Sequence, residues 1–190
     1  MKFKELSLSG SYVIKQNRIS DERGFFTRVF SDDFFNGPLD GRPIRQSNFS
    51  FSRYSGTTRG LHSQYAPCAE DKILFCPTGK LVNIIVDIRP NSPTFLKHEI
   101  IELSSENGLM TLVPKGFANG IQTLEDNTSL CYLVSEYYSP TQEIGLSIFD
   151  PKLDIQLPMK PTVISEKDKL WPEIDSTDFM VDFHKFNKFL

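Results

Sequence analysis

Four short runs rich in β-branched and aromatic residues, at 12–19, 81–88, 94–103 and 128–138, are set apart by clusters of Gly, Pro, Asn and Ser. Runs of this length bounded by turn-forming residues read as strands, and their succession from end to end suggests a sandwich or a barrel. No βαβ alternation, glycine-rich phosphate loop or fixed-period repeat interrupts them, which argues against a Rossmann domain or a solenoid. A chain of 190 residues makes one domain with enough core to fold without disulfides or metals. Residues 1–174 are expected to form that domain. Beyond it, Phe179, Phe183, Phe186 and Leu190 recur at three-to-four spacing, so 175–190 is expected to be an amphipathic helical tail packed on the barrel or on a second subunit.

Strand parity distributes side chains between the two faces. Gln46, Asn48 and Ser50 share one side while Phe49 and Phe51 take the other, and Leu130, Tyr132, Val134, Glu136 and Tyr138 share a face if that strand is regular. The polar set is placed to line a cavity.

Composition excludes several classes. A net charge of -3 disfavours a nonspecific nucleic-acid binder, which relies on concentrated Lys and Arg. The three cysteines, Cys68, Cys76 and Cys131, lack CxxC spacing and a neighbouring His cluster, so they are read as small core residues rather than a zinc site or a disulfide framework. Residues 1–6 lack the apolar stretch of a signal peptide and no run approaches membrane-spanning length, so a cytoplasmic protein with no membrane partner is expected.

Chemistry concentrates around one of the three histidines, in Arg59-Gly60-Leu61-His62-Ser63-Gln64. A lone histidine after Gly-Leu is more often a hydrogen-bonded structural residue, but this one lies between an arginine and a glutamine in a segment that is not a plain apolar strand. His98, in Lys97-His98-Glu99, reads as a strand surface residue, and His184 lies off the apolar stripe of the tail.

The segment around His62 resembles the RGLHYQ motif of the dTDP-4-dehydrorhamnose 3,5-epimerase family. The resemblance runs from about residue 21 to about residue 172. Asp21-Glu22-Arg23-Gly24-Phe25-Phe26 resembles the family's D-x-R-G-x-F, and Gln46-Ser47-Asn48-Phe49-Ser50 its Q-D-N-x-S. Val86-Asp87-Ile88-Arg89 and Ser92-Pro93-Thr94-Phe95 match VDIR and SPTF. Pro114 to Gly120 resembles P-x-G-F-A-H-G, Glu136-Tyr137-Tyr138-Ser139-Pro140 resembles D-Y-Y-x-P, and Asp150-Pro151-Lys152-Leu153-Asp154-Ile155 matches DPxLxI.

What the resemblance implies is a cupin-like jelly roll, a homodimer with strand exchange between subunits, and epimerisation at C3, C5 or both of a nucleotide-diphosphate-linked 4-keto-6-deoxy sugar. The nucleotide would be dTDP or a CDP or GDP analogue. No cofactor is implied, because the substrate's ketone acidifies the flanking carbons. His62 is the implied base, its unperturbed pKa near ~6.5 suiting it to take a proton at neutral pH. Asp150, in the DPxLxI segment, is the implied carboxylate that orients the imidazole. Lys72 would stabilise the enolate and Tyr132 would protonate the opposite face. Arg23 and Arg59 would hold the diphosphate, Gln46 and Asn48 phosphate or sugar, and Phe26 and Tyr138 the base.

The chain departs from the family pattern at several positions. Asn119 stands where the family has a second histidine and is expected to bind substrate as a neutral amide near the sugar, Arg28 stands where it has a glutamate, and Ser147-Ile148 where it has Arg-Trp. Two other readings compete. A metal-dependent cupin needs an HxH pair and a later histidine, and here His62 has no histidine two residues away while Asn119 takes the later place. A non-catalytic sugar-nucleotide-binding protein is favoured by Asn119 but disfavoured by the joint presence of His62, Lys72, Tyr132 and Asp150.

Overall fold

In the computed structural model, which describes residues 1–176, the turn-bounded runs become fourteen strands and two single-turn helices. The strands are β1 (Lys2–Glu5), β2 (Tyr12–Lys15), β3 (Ile19–Asp21), β4 (Gly24–Phe26), β5 (Gln46–Ser52), β6 (Thr57–Gln64), β7 (Lys72–Thr78), β8 (Lys80–Asp87), β9 (His98–Ser104), β10 (Leu109–Val113), β11 (Phe117–Thr123), β12 (Thr128–Val134), β13 (Glu143–Gly145) and β14 (Val163–Ile164). The helices are α1 (Asp32–Phe35) and α2 (Glu166–Lys169). Most of the 175–190 tail, with His184, lies outside the described residues.

One sheet has the order β1-β2-β10-β7-β12-β5 and the other β13-β6-β11-β8-β9, with β14 added parallel to β6. Successive strands from β5 to β8, and again from β9 to β12, alternate between the two sheets, the pattern of a jelly roll. The core between the sheets contains Leu74, Leu81, Ile85, Val113, Phe117 and Ile121. Both sheets are also covered outside. Phe35 and Leu39 seal Ile14, Ile73 and Leu112 on one, while Ile144, Leu146, Ile148 and Leu153 seal Leu61, Ile84 and Val86 on the other. Double cover is why β8 is buried without a break from Leu81 to Asp87 and reads as a largely apolar run, interrupted by the buried Asn83, instead of an alternating one.

Three expected strands are shorter than the sequence suggests, because side chains seize the backbone at their ends. The 94–103 run starts only at His98, since Ser92 and Thr94 donate their hydroxyls to the Asp87 carboxylate and hold 92–97 in turns. The 128–138 run ends at Val134, where the Ser135 N–H bonds the Asp71 carbonyl and the Asp71 N–H bonds Ser135 Oγ. The 12–19 run breaks after Lys15, and Arg18 turns to the Ser105 and Glu106 carbonyls. Cys76 is buried, as expected, but Cys68 and Cys131 are only half-buried.

Candidate active site

Between the sheets, two adjoining cavities of about 280 and 460 Å³ share His62, Lys72 and Tyr132 in their walls. The walls come from different sheets. His62 stands on β6, whereas Lys72 and Tyr132 stand on β7 and β12 of the opposite sheet.

On the far sheet, simple pairing aligns the polar set. Tyr132 is directly opposite Asn48 on β5 and Leu74 on β7, while Val134 is opposite Gln46 and Lys72. These residues therefore face the cavity together, as strand parity requires, and Phe49 and Phe51 are turned out to solvent.

On the near sheet, an irregularity does the aiming. Residues 59 and 62 would take opposite faces of a regular strand. In β6, however, His62 pairs with Asn119 and Arg59 with Ile121, so Gly60 and Leu61 together oppose Gly120 alone. This bulge brings Arg59 and His62 onto one face, and both line the smaller cavity with Asn119. Glycine is needed at the bulge. Gly60 has φ +98°, and a Cβ there would lie 2.6 Å from the Asn119 carbonyl oxygen.

The carboxylate that meets His62 is Asp168, at 2.5 Å from Nε2, and not Asp150. Asp150 is buried elsewhere, accepting from the Lys152 and Ile174 backbone N–H groups at 2.7 and 2.6 Å, and lines neither cavity. It braces the chain after β13 against the 174 segment. Asp168 sits on α2, capped by Ser165, whose Oγ accepts from the Asp168 N–H at 3.0 Å. The Trp171 indole N–H adds a bond to the same carboxylate oxygen that meets His62. Burial alone would push the Asp168 carboxyl up, but His62, Ser165 and Trp171 together hold it below the usual carboxylate range. With Nε2 committed, Nδ1 is the His62 nitrogen without a partner among the described residues.

Asn119, buried behind His62, donates from Nδ2 to Asn83 Oδ1 and to the Ile84 carbonyl, and Asn83 in turn donates to Thr111. Both amide hydrogens thus serve the core.

The larger cavity carries two carboxylates that sequence reasoning missed. Glu70 lies 3.3 Å from Lys72, and Glu143 bonds Lys167 and the Tyr138 hydroxyl. Tyr138 reaches this cavity without strand geometry, its N–H held by Gln46 Oε1 at 2.9 Å. Arg23 and Phe26 are not brought to the site. They occupy the β3–β4 hairpin, which pairs only with itself; Phe26 is exposed, and Arg23 is spent on Asp21. Arg59 has no hydrogen-bond or ion-pair partner among the described residues, so its guanidinium is available to an anion.

Asp168 and Trp171 had faint signals in the sequence. Ser165 three residues before Asp168 is a helix-start pattern, and Trp171 is the chain's single tryptophan.

A family model described as dTDP-4-dehydrorhamnose 3,5-epimerase matches residues 5–176. The chain is 39% identical to a dTDP-4-dehydrorhamnose 3,5-epimerase of Sinorhizobium fredii, over 92% of this chain and 90% of the relative. Among solved structures, the Bacillus anthracis dTDP-4-dehydrorhamnose 3,5-epimerase, with TDP and PPi bound, superposes with a TM-score of 0.87 at 35% identity, covering 90% of this chain and 98% of that one. An epimerase from Legionella pneumophila in complex with dTDP-4-keto-L-rhamnose gives 0.88 at 30% identity, over 95% and 96%.

Proposed function

The chain belongs to the dTDP-4-dehydrorhamnose 3,5-epimerase family and is an epimerase of deoxysugar biosynthesis, and from that premise we propose that it inverts C3 and C5 of a dTDP-linked 4-keto-6-deoxy sugar, with His62 as base and Tyr132 as acid. The observation that carries this reading is the placement of His62 and Tyr132 on opposite sheets, across one cavity. Inversion needs a base and an acid on opposite faces of the sugar ring.

In each half-reaction the C–H bond next to the C4 ketone breaks and its proton goes to His62 Nδ1. Asp168 stabilises the imidazolium through Nε2, in the place first assigned to Asp150. The electron pair moves onto the C4 oxygen, whose charge faces the Lys72 ammonium. Tyr132 then gives its O–H proton to the opposite face of the same carbon, and exchange with solvent resets both groups. Tyr132 is suited to this because burial, then the charge of Glu70, push its phenol up, against a smaller opposing effect of Arg59. Arg59, in the wall of the smaller cavity with His62, is the cation suited to the diphosphate, since Lys167 in the same wall is paired with Glu143. Gln46, Asn48 and Tyr138 line the larger cavity.

The same reading makes the protein a homodimer. Phe49 and Phe51 lie exposed on edge strand β5, and Ile19, Phe25 and Phe26 lie exposed on the hairpin. A second copy seated there would cover this apolar surface. Light scattering giving a monomer mass in dilute solution would count against it.

The test of the chemistry is solvent deuterium incorporation in heavy water. His62→Ala is expected to abolish exchange at the sugar carbons. Tyr132→Phe is expected to retain exchange on the face His62 attacks but to lose net inversion. A His62→Ala protein exchanging at the parent's rate overturns the base assignment.

A further inference from the structure

Consecutive acids precede β7, and they do different work. Asp71 is fully buried and turned into the fold, where its carboxylate accepts from Arg42 at 2.6 and 2.9 Å, from Ser135 Oγ and from the Lys115 N–H. Glu70 faces the other way and lines the larger cavity with His62, Lys72 and Tyr132. Its carboxylate lies 3.3 Å from Lys72 Nζ, with side-chain exposures of only 10% and 14%. Glu143, the cavity's other carboxylate, is matched by Lys167 and Tyr138 and leaves Lys72 to Glu70.

We propose that Glu70 is a positioning residue for the epimerisation, fixing the Lys72 ammonium in the cavity wall and keeping the neighbouring Tyr132 supplied with its proton. This rests on the reading of Lys72 and Tyr132 given above and goes beyond it by assigning a residue that does not itself touch the reacting atoms.

Two physical effects carry the argument. A lysine on its four-carbon stem has many rotamers, and an electrophile for a developing enolate must be held in place before the charge appears. A buried carboxylate at contact distance does that. The same negative charge beside a phenol disfavours tyrosinate, so Glu70 extends the pH range over which Tyr132 can donate. Lys72, Glu143 and Tyr132 share the cavity wall with Glu70, Asp71 acts on it from the adjacent position though turned away, and Arg59 also acts on Tyr132. Burial pushes Glu70 itself up, Lys72 opposes it, and Glu143 and Asp71 add smaller upward pushes.

The experiment is Glu70→Gln, which keeps the shape and removes the charge. The kcat is expected to fall about tenfold while KM moves less than about twofold, since the lost interaction is one made with the transition state. The alkaline limb of the kcat–pH profile is expected to move to lower pH, and Glu70→Asp to return it part of the way. A second readout needs no substrate. In protein carrying 13Cζ-tyrosine, the resonance absent from Tyr132→Phe should titrate at lower pH in Glu70→Gln than in the parent. An unmoved Tyr132 titration overturns the proposal, as does a loss of kcat with the alkaline limb in place, which marks Glu70 as structural. Because the resonance is read without a sugar, a wrong substrate assignment and a wrong role for Glu70 give different results.

Discussion

Trp171 lies across Gly145 so closely that a Cβ on the glycine would sit 2.2 Å from the indole Cδ2. Gly145 is paired with His62 across β13 and β6, and Trp171 bonds the Asp168 carboxylate that holds His62. The absence of a side chain at one position thus lets the indole close over the dyad. Gly145→Ala should drive the indole off Asp168, with about 1–3 kcal/mol of overpacking strain and a loss of kcat of at least about tenfold. The single tryptophan reports directly, and its emission should shift towards that of an exposed indole. Unchanged emission with full activity would contradict the coupling.

Asp168 and Asp150 should separate chemistry from architecture. Asp168→Asn leaves a neutral amide against Nε2, misorients the imidazole and is expected to lower kcat by about a thousandfold or more, with dTDP affinity near the parent's. Asp150→Asn weakens two backbone bonds to a buried carboxylate, at about 1–3 kcal/mol of stability, and should leave kcat of the folded fraction intact. Urea midpoints and single-turnover rates for the two variants check this, and the opposite pattern would return the orienting role to Asp150.

These two acids also show what the sequence could and could not tell. A sandwich or barrel was legible because strand length and turn residues are local signals, whereas the jelly roll came only from the resemblance to the family. The faces of Gln46 with Asn48 and of Tyr132 with Val134 were legible because period-two alternation holds through β5 and β12, but that the two strands pair and present one face was not. Lys72 and His62 were recognisable from motif resemblance. Asp168 was not, because Glu166-Lys167-Asp168-Lys169 reads as a solvated charged turn and only the packing of α2 onto β6 buries its third residue. Tyr138 was placed on a strand that stops at Val134, because Ser135 finds its partner on Asp71, a contact between segments far apart in the chain. The share of one face by Arg59 and His62 was hidden too. Two glycines, Gly60 and Gly120, mark the bulge, but their meaning depends on being opposite each other.

Acid stability should depend on Asp87. Burial alone would push its carboxyl up, yet the bonds from Arg89, Ser92 and Thr94 hold it at about 2, below the ordinary 3.8. Because the folded-state value is depressed, this stabilisation is complete above the unfolded value and is lost as pH falls towards the folded one. Its size is about 2 kcal/mol. Asp87→Asn should therefore lower stability at neutral pH by about that amount and flatten the stability profile between about pH 4 and pH 2. Urea unfolding across that range measures it, and an unaltered acid limb would refute it.

The bulge in β6 supplies the last prediction, because it aims two functional side chains at once. Gly60→Ala meets both a positive φ and a 2.6 Å approach to the Asn119 carbonyl oxygen, with Gly120 Cα at 2.7 Å, so β6 and β11 must part or slip. A regular pairing would put Arg59 and His62 on opposite faces. Destabilisation of about 2 kcal/mol or more is expected from the strained backbone. Its signature is that dTDP affinity, which Arg59 serves, and deuterium exchange, which His62 serves, fall together in the fraction that folds. Asp168→Asn, by contrast, should spare affinity. Calorimetric titration with dTDP alongside exchange kinetics distinguishes these patterns, and a folded Gly60→Ala protein that keeps either property at the parent's level would show that the bulge is not what brings the two residues to one face.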